Sequence, residues 1–198
     1  MNKYNKKIDP REIFLRGKKI NLKILTELDV LESDWYGWFN DENICLNLEK
    51  HYFPNTINQQ LEYLKNEILP SQNKLQLGIT ESKDSKIIGI ISLNDINYIN
   101  RSSSLSTILP YIKNKNLSIF LEVNHLIFKH AFFSLNLNKI YGGSLSKDVS
   151  NLMCRTLGFK FEGTHYDHVF KNGKYVNTYN FGLLKKDYLK LIKNIESN

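Results

Sequence analysis

The sequence predicts a single layered α/β domain, and three observations support that prediction. The chain has 198 residues, of which 41% are apolar and 12% aromatic, which is enough to bury one sizeable core. Segments with the two-residue period of strands alternate with segments of helical period. No internal repeat or linker-like stretch divides the chain. Strands and helices in this order are typical of one sheet flanked by helices.

Charge and cysteine content narrow the function classes. The net charge is +7, but only four of the 27 basic residues are arginines and the lysines are scattered, so we expect no nucleic-acid partner. The longest apolar run, residues 87–91, is too short to cross a bilayer, and we expect no membrane partner. Cys45 and Cys154 fit neither a disulfide framework nor a metal site, so no metal is expected. With no apolar leader near Met1, these features predict a cytoplasmic location.

The N-terminal part predicts an arm, a strand and a helix. Residues 1–14 are polar and contain Pro10, so we expect an arm outside the core. Apolar and polar residues alternate over residues 20–24, which indicates a half-buried strand. Thr26 is followed by acidic residues, as is typical of a helix N-cap, and we expect this helix to run toward Phe39.

A loop, a second helix and three strands follow. Residues 40–54 have no clear period and read as a loop. Thr56 and Gln59 form a capping box at the start of the second helix, which Pro70 ends. Alternation and β-branched runs then predict strands at residues 75–79, 87–93 and 105–109. Gly89, inside the second of these strands, indicates a close backbone approach.

A long helix and a short helix dominate the second half of the chain. Apolar and aromatic residues recur at helical spacing over residues 119–135. A strand is expected at residues 139–145. Ser150 is expected to cap the short helix, which Gly158 ends at its C′ position.

The C-terminal part predicts a hairpin. Asn172-Gly173 between two apolar runs is a strong signal for a type I′ turn. The second strand is expected to end near Leu184 and to be followed by a polar helix. We therefore expect the arm over residues 1–14, the domain over residues 15–188 and a polar tail over residues 189–198.

Four stretches stand in the order of one known family. They are Trp38-Phe39-Asn40-Asp41, Ala131-Phe132 with residues 137–141, residues 144–159, and residues 163–185 with the Asn172-Gly173 turn. Together they resemble the GNAT-type N-acetyltransferases, in the branch of the ribosomal-protein alanine and amino-sugar acetyltransferases. The resemblance covers about residues 15–188. It implies an α/β (α+β) fold with a central mixed, twisted sheet of six to seven strands flanked by helices.

The resemblance also implies a reaction. An acetyl group would pass from acetyl-CoA to a primary amine, with an amino sugar or sugar nucleotide as the first expected acceptor and a protein N-terminal amine as the second. The amine must lose a proton, the thioester carbonyl must be polarised and the leaving thiolate must be protonated. A catalytically silent GNAT-like module that binds a ligand or a protein is the alternative. A homodimer is considered as well.

The cofactor site departs from the family pattern. A pyrophosphate needs backbone N–H groups at a helix N-terminus. By resemblance, the family's loop falls on Lys115, Asn116, Leu117, Ser118, Ile119 and Phe120, where neither of the family's two glycines is present. Two interpretations of this segment remain. It is either a distorted loop that still holds the pyrophosphate or an ordinary helix start without that role. The resemblance adds cofactor contacts from Ile108, Leu109, Lys147, Ser150 and Asn151.

One residue is a candidate proton donor. Cys154 stands where many family members have a tyrosine that protonates the leaving thiolate. A thiol, with a pKa of about 8.5, has suitable chemistry for this role. The alternative is a small buried hydrophobe.

Acceptor-side candidates cluster in two places. His165 near the hairpin mouth is the candidate base, with Asp167 as an acceptor-binding neighbour. Strand alternation places His168 on the opposite face, so we expect only one of the two histidines in the site. Asn40, Asp41, Glu49 and His51 lie in the loop that covers the acceptor in the family, and the first, second and fourth are candidate acceptor contacts. Solvated surface groups are the alternative for all of them.

Overall fold

The computed structural model describes residues 8–49, 51–110 and 117–196. Within these residues one sheet contains eight strands. The strands are β1 (Ile13–Arg16), β2 (Ile20–Ile24), β3 (Leu75–Glu81), β4 (Ile87–Asn97), β5 (Ser102–Ile108), β6 (Lys139–Ser144), β7 (Lys160–Lys171) and β8 (Lys174–Leu184). The expected sheet of six to seven strands is thus extended by one.

Six α-helices accompany the sheet in the described part of the chain. They are α1 (Glu27–Glu32), α2 (Trp35–Trp38), α3 (Ile57–Tyr63), α4 (Leu117–Lys129), α5 (Lys147–Leu157) and α6 (Lys185–Glu196). Both α3 and α4 continue as a single π-helical turn, at Leu64–Ile68 and His130–Ser134. None of the helices described is long and apolar enough to cross a membrane.

The strand order is β1-β2-β3-β4-β5-β6-β8-β7. All neighbours are antiparallel except β5 and β6, which are parallel. Antiparallel neighbours can be joined by short turns, whereas a parallel pair needs a crossover connection. Here α4 lies in that crossover, between β5 and β6 in the chain. The mixed sheet expected from the resemblance is confirmed.

Two apolar clusters cover the two faces of the sheet. Ile90 and Ile91 are adjacent on β4, so their side chains point to opposite faces. Ile91 joins the main cluster, in which α4 supplies Phe128 and its neighbours. Ile90 joins the second cluster, which is built around the fully buried Trp35 of α2 and residues of α3 and its π turn. The sheet is therefore the middle layer of the domain.

The additional strand is β1, which begins within the last two residues of the segment expected to be an arm. Glu12, immediately before β1, pairs with Lys23 of β2 at 2.8 Å, and Lys23 also pairs with Asp29 at 2.9 Å. The Lys23 side chain is only 3% exposed, so its charge needs both partners. This long-range ion pair anchors the segment to the sheet, and no sequence period shows it.

Two helix boundaries differ from the sequence expectation. The helix after Thr26 breaks at Ser33, whose hydroxyl donates to the Asp29 carbonyl and accepts from the Trp35 N–H. These side-chain bonds compete with helix continuation. The N-cap of α5 is Ser146, whose hydroxyl accepts from the Val149 N–H, so the expectation that Ser150 caps this helix is wrong.

Other local predictions are confirmed. Thr56 and Gln59 form the capping box of α3. Gly158 ends α5 with φ 77°. Asn172 and Gly173 both have positive φ, 50° and 78°, as a type I′ turn between β7 and β8 requires.

Candidate active site

Strands β5 and β6 separate part-way along the sheet. Their parallel ladder joins Ser102 to Lys139, Ser103 to Ile140 and Ser104 to Tyr141. In residues 105–108 of β5 the structure shows no ladder pair with β6, although β5 stays paired with β4 as far as Ile108. One edge of β5 therefore presents backbone N–H and C=O groups that need a hydrogen-bond partner.

A cleft of about 670 Å³ opens where the two strands separate. Its lining comes from the ends of the ladder at Ser104 and Tyr141, from β7 and β8, and from the loop between α2 and α3. We define the polar wall of this cleft by four of its side chains, Glu49, Glu162, His165 and His168. None of the described residues that line the cleft is Lys or Arg, although the chain has 27 basic residues. This distribution favours a cationic ligand.

One carboxylate of the polar wall has a basic neighbour outside the cleft lining. Glu162 pairs with Lys139 at 2.8 Å. Gly182 makes room for this pair, because a Cβ there would lie within 2.6 Å of the Glu162 carboxyl carbon. The pair fixes the Glu162 side chain at the edge of the cleft.

A bulge in β7 brings both histidines into the cleft. Residues 166–168 face a single residue of β8, Asn177. At the centre of the bulge Asp167 has φ 46°, and its N–H donates to Asn177 Oδ1 at 2.9 Å. The rings of His165 and His168 meet edge to face with centroids 4.9 Å apart. The expectation that only one histidine reaches the site is wrong, because the bulge breaks the strict alternation of a strand.

The other predicted acceptor residues lie outside the lining of the main cleft. Asn40 exchanges two hydrogen bonds of 2.7 Å with the Asn55 backbone, and Asp41 accepts from backbone N–H groups of its own turn. His51 lines a separate cavity of about 120 Å³ next to the β7–β8 turn. Asp167 is exposed, and its backbone N–H makes the hydrogen bond to Asn177 that shapes the bulge. These residues shape the loop and the strand that carry the polar wall.

Most lining residues were not assigned a role from the sequence, and three of them carry polar side chains suited to catalysis or binding. Tyr141 lies in a predicted strand, but only the end of the β5–β6 ladder shows that it reaches the cleft. Glu162 lies on β7, which follows the short helix α5. The exposed face of this strand has no sequence pattern that predicts a site. Glu49 lies in the loop that the resemblance places over the acceptor, but no sequence motif assigned it a role of its own.

The start of α4 is held against the first strands. Ser118 Oγ accepts from Lys19 Nζ at 3.1 Å, and the Glu122 carboxylate accepts from the Lys18 and Lys19 backbone N–H groups. The side chains of Ile119 and Phe120 pack against the main cluster. At Ile119 and Phe120, therefore, only the backbone groups could hydrogen-bond to a cofactor. Lys115 and Asn116 lie outside the described residues, and Leu117 begins the helix.

The end of β5 lies close to β4. A Cβ at Gly89 would come within 2.5 Å of both the Ile108 carbonyl oxygen and the Leu109 side chain. The close backbone approach predicted for Gly89 is confirmed. Thr107 Oγ1 on the same strand is buried without a hydrogen-bond partner among the described residues. The unpaired edge of β5 and the Thr107 hydroxyl thus lie on one strand, β5.

Helix α5 borders the same region. Lys147 and Asn151 lie in its first two turns, and Ser150 is 1% exposed with a hydroxyl that has no partner in the described part of the chain. Among the described residues no group of three or more His, Cys, Asp or Glu side chains could hold a metal ion.

A curated relative decides the family. A spermidine N(1)-acetyltransferase from Vibrio cholerae serotype O1 is 30% identical over 169 residues, which cover 82% of this chain and 94% of the relative. The chain belongs to the GNAT-type N-acetyltransferases. These are acyl-CoA-dependent enzymes, so the family and enzyme class predicted from the sequence are confirmed. No protein-family model matches the sequence.

Solved structures show that this N-acetyltransferase has the fold of known ones. The spermidine N-acetyltransferase from Vibrio cholerae, in complex with CoA and spermine, has a TM-score of 0.76 and 22% identity over 87% of this chain and 99% of its own. The microcin C7 self-immunity acetyltransferase, in complex with acetyl-CoA and AMP, has a TM-score of 0.71 and 17% identity over 85% and 93%.

In this N-acetyltransferase Cys154 lies on α5 and packs against the main cluster. Burial raises the pKa of its thiol, so the thiol stays protonated at neutral pH. Cys154 is absent from the described lining of the main cleft, whereas Tyr141 is part of it. Both side chains are therefore candidates for proton donation, from different positions.

Proposed function

We propose that the chain transfers the acetyl group of acetyl-CoA to a primary amine of a polyamine-type cation. The observation that carries this proposal is the polar wall, which presents the carboxylate of Glu49 and the Lys139-paired carboxylate of Glu162, with no Lys or Arg among the described lining residues. A polyamine carries several positive charges at neutral pH and complements such a surface. The relative that is 30% identical is a spermidine N(1)-acetyltransferase. This acceptor replaces the amino sugar or sugar nucleotide, and the protein N-terminus, expected from the sequence.

The residues on the other side of the cleft fit acetyl-CoA. The unpaired edge of β5 can bond an extended amide chain, and the orphaned hydroxyls of Thr107 and Ser150 are available for further hydrogen bonds. Lys19 with Ser118, and Lys147, provide polar and positive groups at the starts of α4 and α5. Contacts from Ile108, Leu109, Leu117, Ile119, Phe120 and Asn151, and from Lys115 and Asn116, remain predictions. Acetyl-CoA supplies the acetyl group as an activated thioester.

The chain's own residues handle the protons. An ammonium acceptor must lose one proton before it can act as a nucleophile. His165 takes that proton in our proposal, and the adjacent His168 offers a second imidazole for passing it to solvent. The departing sulfur receives a proton from the phenol of Tyr141, a residue that lines the cleft, or from the Cys154 thiol, as the resemblance implies.

Location and assembly are part of the proposal. A cytoplasmic location follows from the sequence expectations alone. A dodecameric structure is known for the spermidine N-acetyltransferase from Vibrio cholerae, which supports self-association of this chain beyond the homodimer considered from the sequence.

The proposed function is tested with the full chain, acetyl-CoA and spermidine. We expect spermidine-dependent release of free CoA thiol and a product heavier by one acetyl group in the mass spectrum. Calorimetry should show acetyl-CoA binding below millimolar concentration. A chain that binds acetyl-CoA but acetylates no amine would contradict the proposed activity, and a chain that does not bind it would contradict the proposed cofactor site.

Two variants separate the proton donors. Tyr141→Phe removes only a hydroxyl, and Cys154→Ala removes only a thiol. If Tyr141 is the donor, Tyr141→Phe lowers kcat by about 100-fold, the lower range for general-acid catalysis, and Cys154→Ala retains kcat. The reverse pattern would assign the role to Cys154.

A further inference from the structure

The loop that carries Glu49 is fastened to the turn between β7 and β8. We define this cover loop as residues 40–49 and 51–55. The Lys171 ammonium, at the end of β7, donates to the backbone carbonyls of Cys45 and Leu48. Leu48 directly precedes Glu49. The contact spans more than 120 residues of sequence, so only the folded hairpin brings Lys171 to the loop.

A second bond fastens the cover loop on the other side of Glu49. The Tyr52 hydroxyl donates to the Phe170 carbonyl at 3.0 Å. Glu49 therefore lies between two anchors that both end on adjacent residues of β7. Hydrogen bonds from an ionised donor are stronger than neutral ones, so the bonds of Lys171 are the stronger anchor.

The hairpin gives the anchor a defined position. Lys171 pairs with Lys174 as the last pair before the Asn172-Gly173 turn, and the type I′ turn fixes this register. The Lys171 side chain lines the small cavity of about 120 Å³ with His51 and Tyr52, and it is absent from the described lining of the main cleft. Because Lys171 lies outside this lining, we expect its effect on the acceptor to pass mainly through the loop.

We propose that Lys171 is a positioning residue that holds Glu49 in the polar wall and so sets the preference for acceptors with a second positive charge. The proposal rests on the proposed function, because it takes Glu49 to bind the distal ammonium of the acceptor. The ammonium of Lys171 is bonded to two backbone carbonyls of the cover loop. Without these bonds the loop has more conformations and Glu49 spends less time at the cleft.

A double-mutant cycle on the full chain tests the proposal. The probes are 1,3-diaminopropane and propylamine, which differ by one ammonium group. The variants are Lys171→Met, which keeps most of the side-chain length but no donor, Glu49→Gln, and the two combined. The quantity measured is the ratio of kcat/KM for the diamine to kcat/KM for the monoamine.

We expect Lys171→Met and Glu49→Gln each to lower this ratio by about 10-fold, the size of one lost charge-assisted hydrogen bond. The effect of Lys171→Met should lie in the KM of the diamine, with kcat retained. The combined variant should fall no further than Glu49→Gln alone, because both changes remove the same contact. Lys171→Arg keeps a charged donor and should recover part of the ratio. Tyr52→Phe removes the neutral anchor and should show a smaller loss of the same kind, which provides the test if Lys171→Met does not fold.

The outcomes separate this inference from the proposed function. If Glu49→Gln lowers the ratio but Lys171→Met and Tyr52→Phe leave it unchanged, Lys171 does not position Glu49. Additive losses in the combined variant would also overturn the inference, since they show an independent action of Lys171. If Glu49→Gln leaves the ratio unchanged, the polar wall does not recognise a second charge, and the proposed acceptor class fails together with this inference.

Discussion

The two sides of the cleft are built in different ways. The proposed acceptor side consists of side chains, namely the polar wall carried by a bulged strand and a loop. The proposed cofactor side consists mainly of backbone, namely the unpaired edge of β5 and the starts of α4 and α5. Backbone groups bind any ligand of the right shape, whereas side chains select by charge and hydrogen-bonding pattern. The backbone surface therefore suits a cofactor that many enzymes share, and the side-chain surface suits a particular acceptor.

The comparison predicts its largest effect on the acceptor side. His165→Gln removes the proposed base while keeping a polar side chain, and we expect kcat to fall by about 100-fold, the lower range for general-base catalysis. Steady-state kinetics with saturating acetyl-CoA measures this. His125→Gln on α4, outside the cleft, is the matched control and should retain kcat. Equal kcat values for both variants would remove His165 from the chemistry.

The next effect concerns the bulge. Asn177→Ala removes the oxygen that accepts from the Asp167 N–H, so residues 166–168 lose the bond that shapes the bulge. We expect kcat to fall by about 10-fold, because small displacements of catalytic groups have effects of this order. Asn177→Asp retains an acceptor oxygen and should recover most of the activity. If Asn177→Ala keeps full kcat, the geometry of the histidine pair does not depend on this bond.

Side-chain truncation should have a smaller effect on the cofactor side. Lys147 is exposed at the start of α5, and Lys147→Ala should weaken acetyl-CoA binding by about threefold, as for other exposed charges. The loss should shrink at high salt, because screening weakens exposed charges. Calorimetric titration at two salt concentrations measures both. A loss as large as that of His165→Gln would show that side chains dominate this side too.

The smallest effect is a pH dependence of stability away from the cleft. Partial burial lowers the pKa of His130 below its ordinary value of 6.5. Well above pH 6.5 the ring is neutral in both the folded and the unfolded state, so it adds no pH dependence there. As the pH falls below 6.5, the unfolded chain takes up a proton that the folded chain resists, and the free energy of unfolding decreases.

Urea denaturation at pH 7.5 and pH 5.5 checks this prediction. His130→Gln should lose less stability than the wild type between the two values, while the acceptor KM stays the same. An identical loss in both proteins would mean that His130 does not contribute to the acid sensitivity.

The same difference between the two sides explains what the sequence could predict. Caps, turns and periods are local, so the capping box at Thr56, the αL glycine at Gly158 and the Asn172-Gly173 turn were found. The strands and helices that form the proposed cofactor side could be predicted from the order of elements along the chain and from the family resemblance. The ion pair that anchors β1 depends on contacts distant in sequence and was missed.

The acceptor side was hard to predict for a physical reason. His168 enters the cleft only because residues 166–168 bulge, and a bulge changes which face a residue occupies without changing the sequence period. Glu49 lies in a loop whose position is set by Lys171, more than 120 residues away. The choice of acceptor therefore depends on the least regular parts of the fold.

Acceptor selectivity tests the cationic-acceptor assignment most directly. The measurement is kcat/KM with acetyl-CoA for spermidine and for glucosamine, on the full chain at one pH and salt concentration. We predict a ratio of at least about 10 in favour of spermidine, because only spermidine offers further positive charges to the polar wall. An enzyme that acetylates glucosamine as well as spermidine, or better, would contradict recognition by the carboxylates of the polar wall.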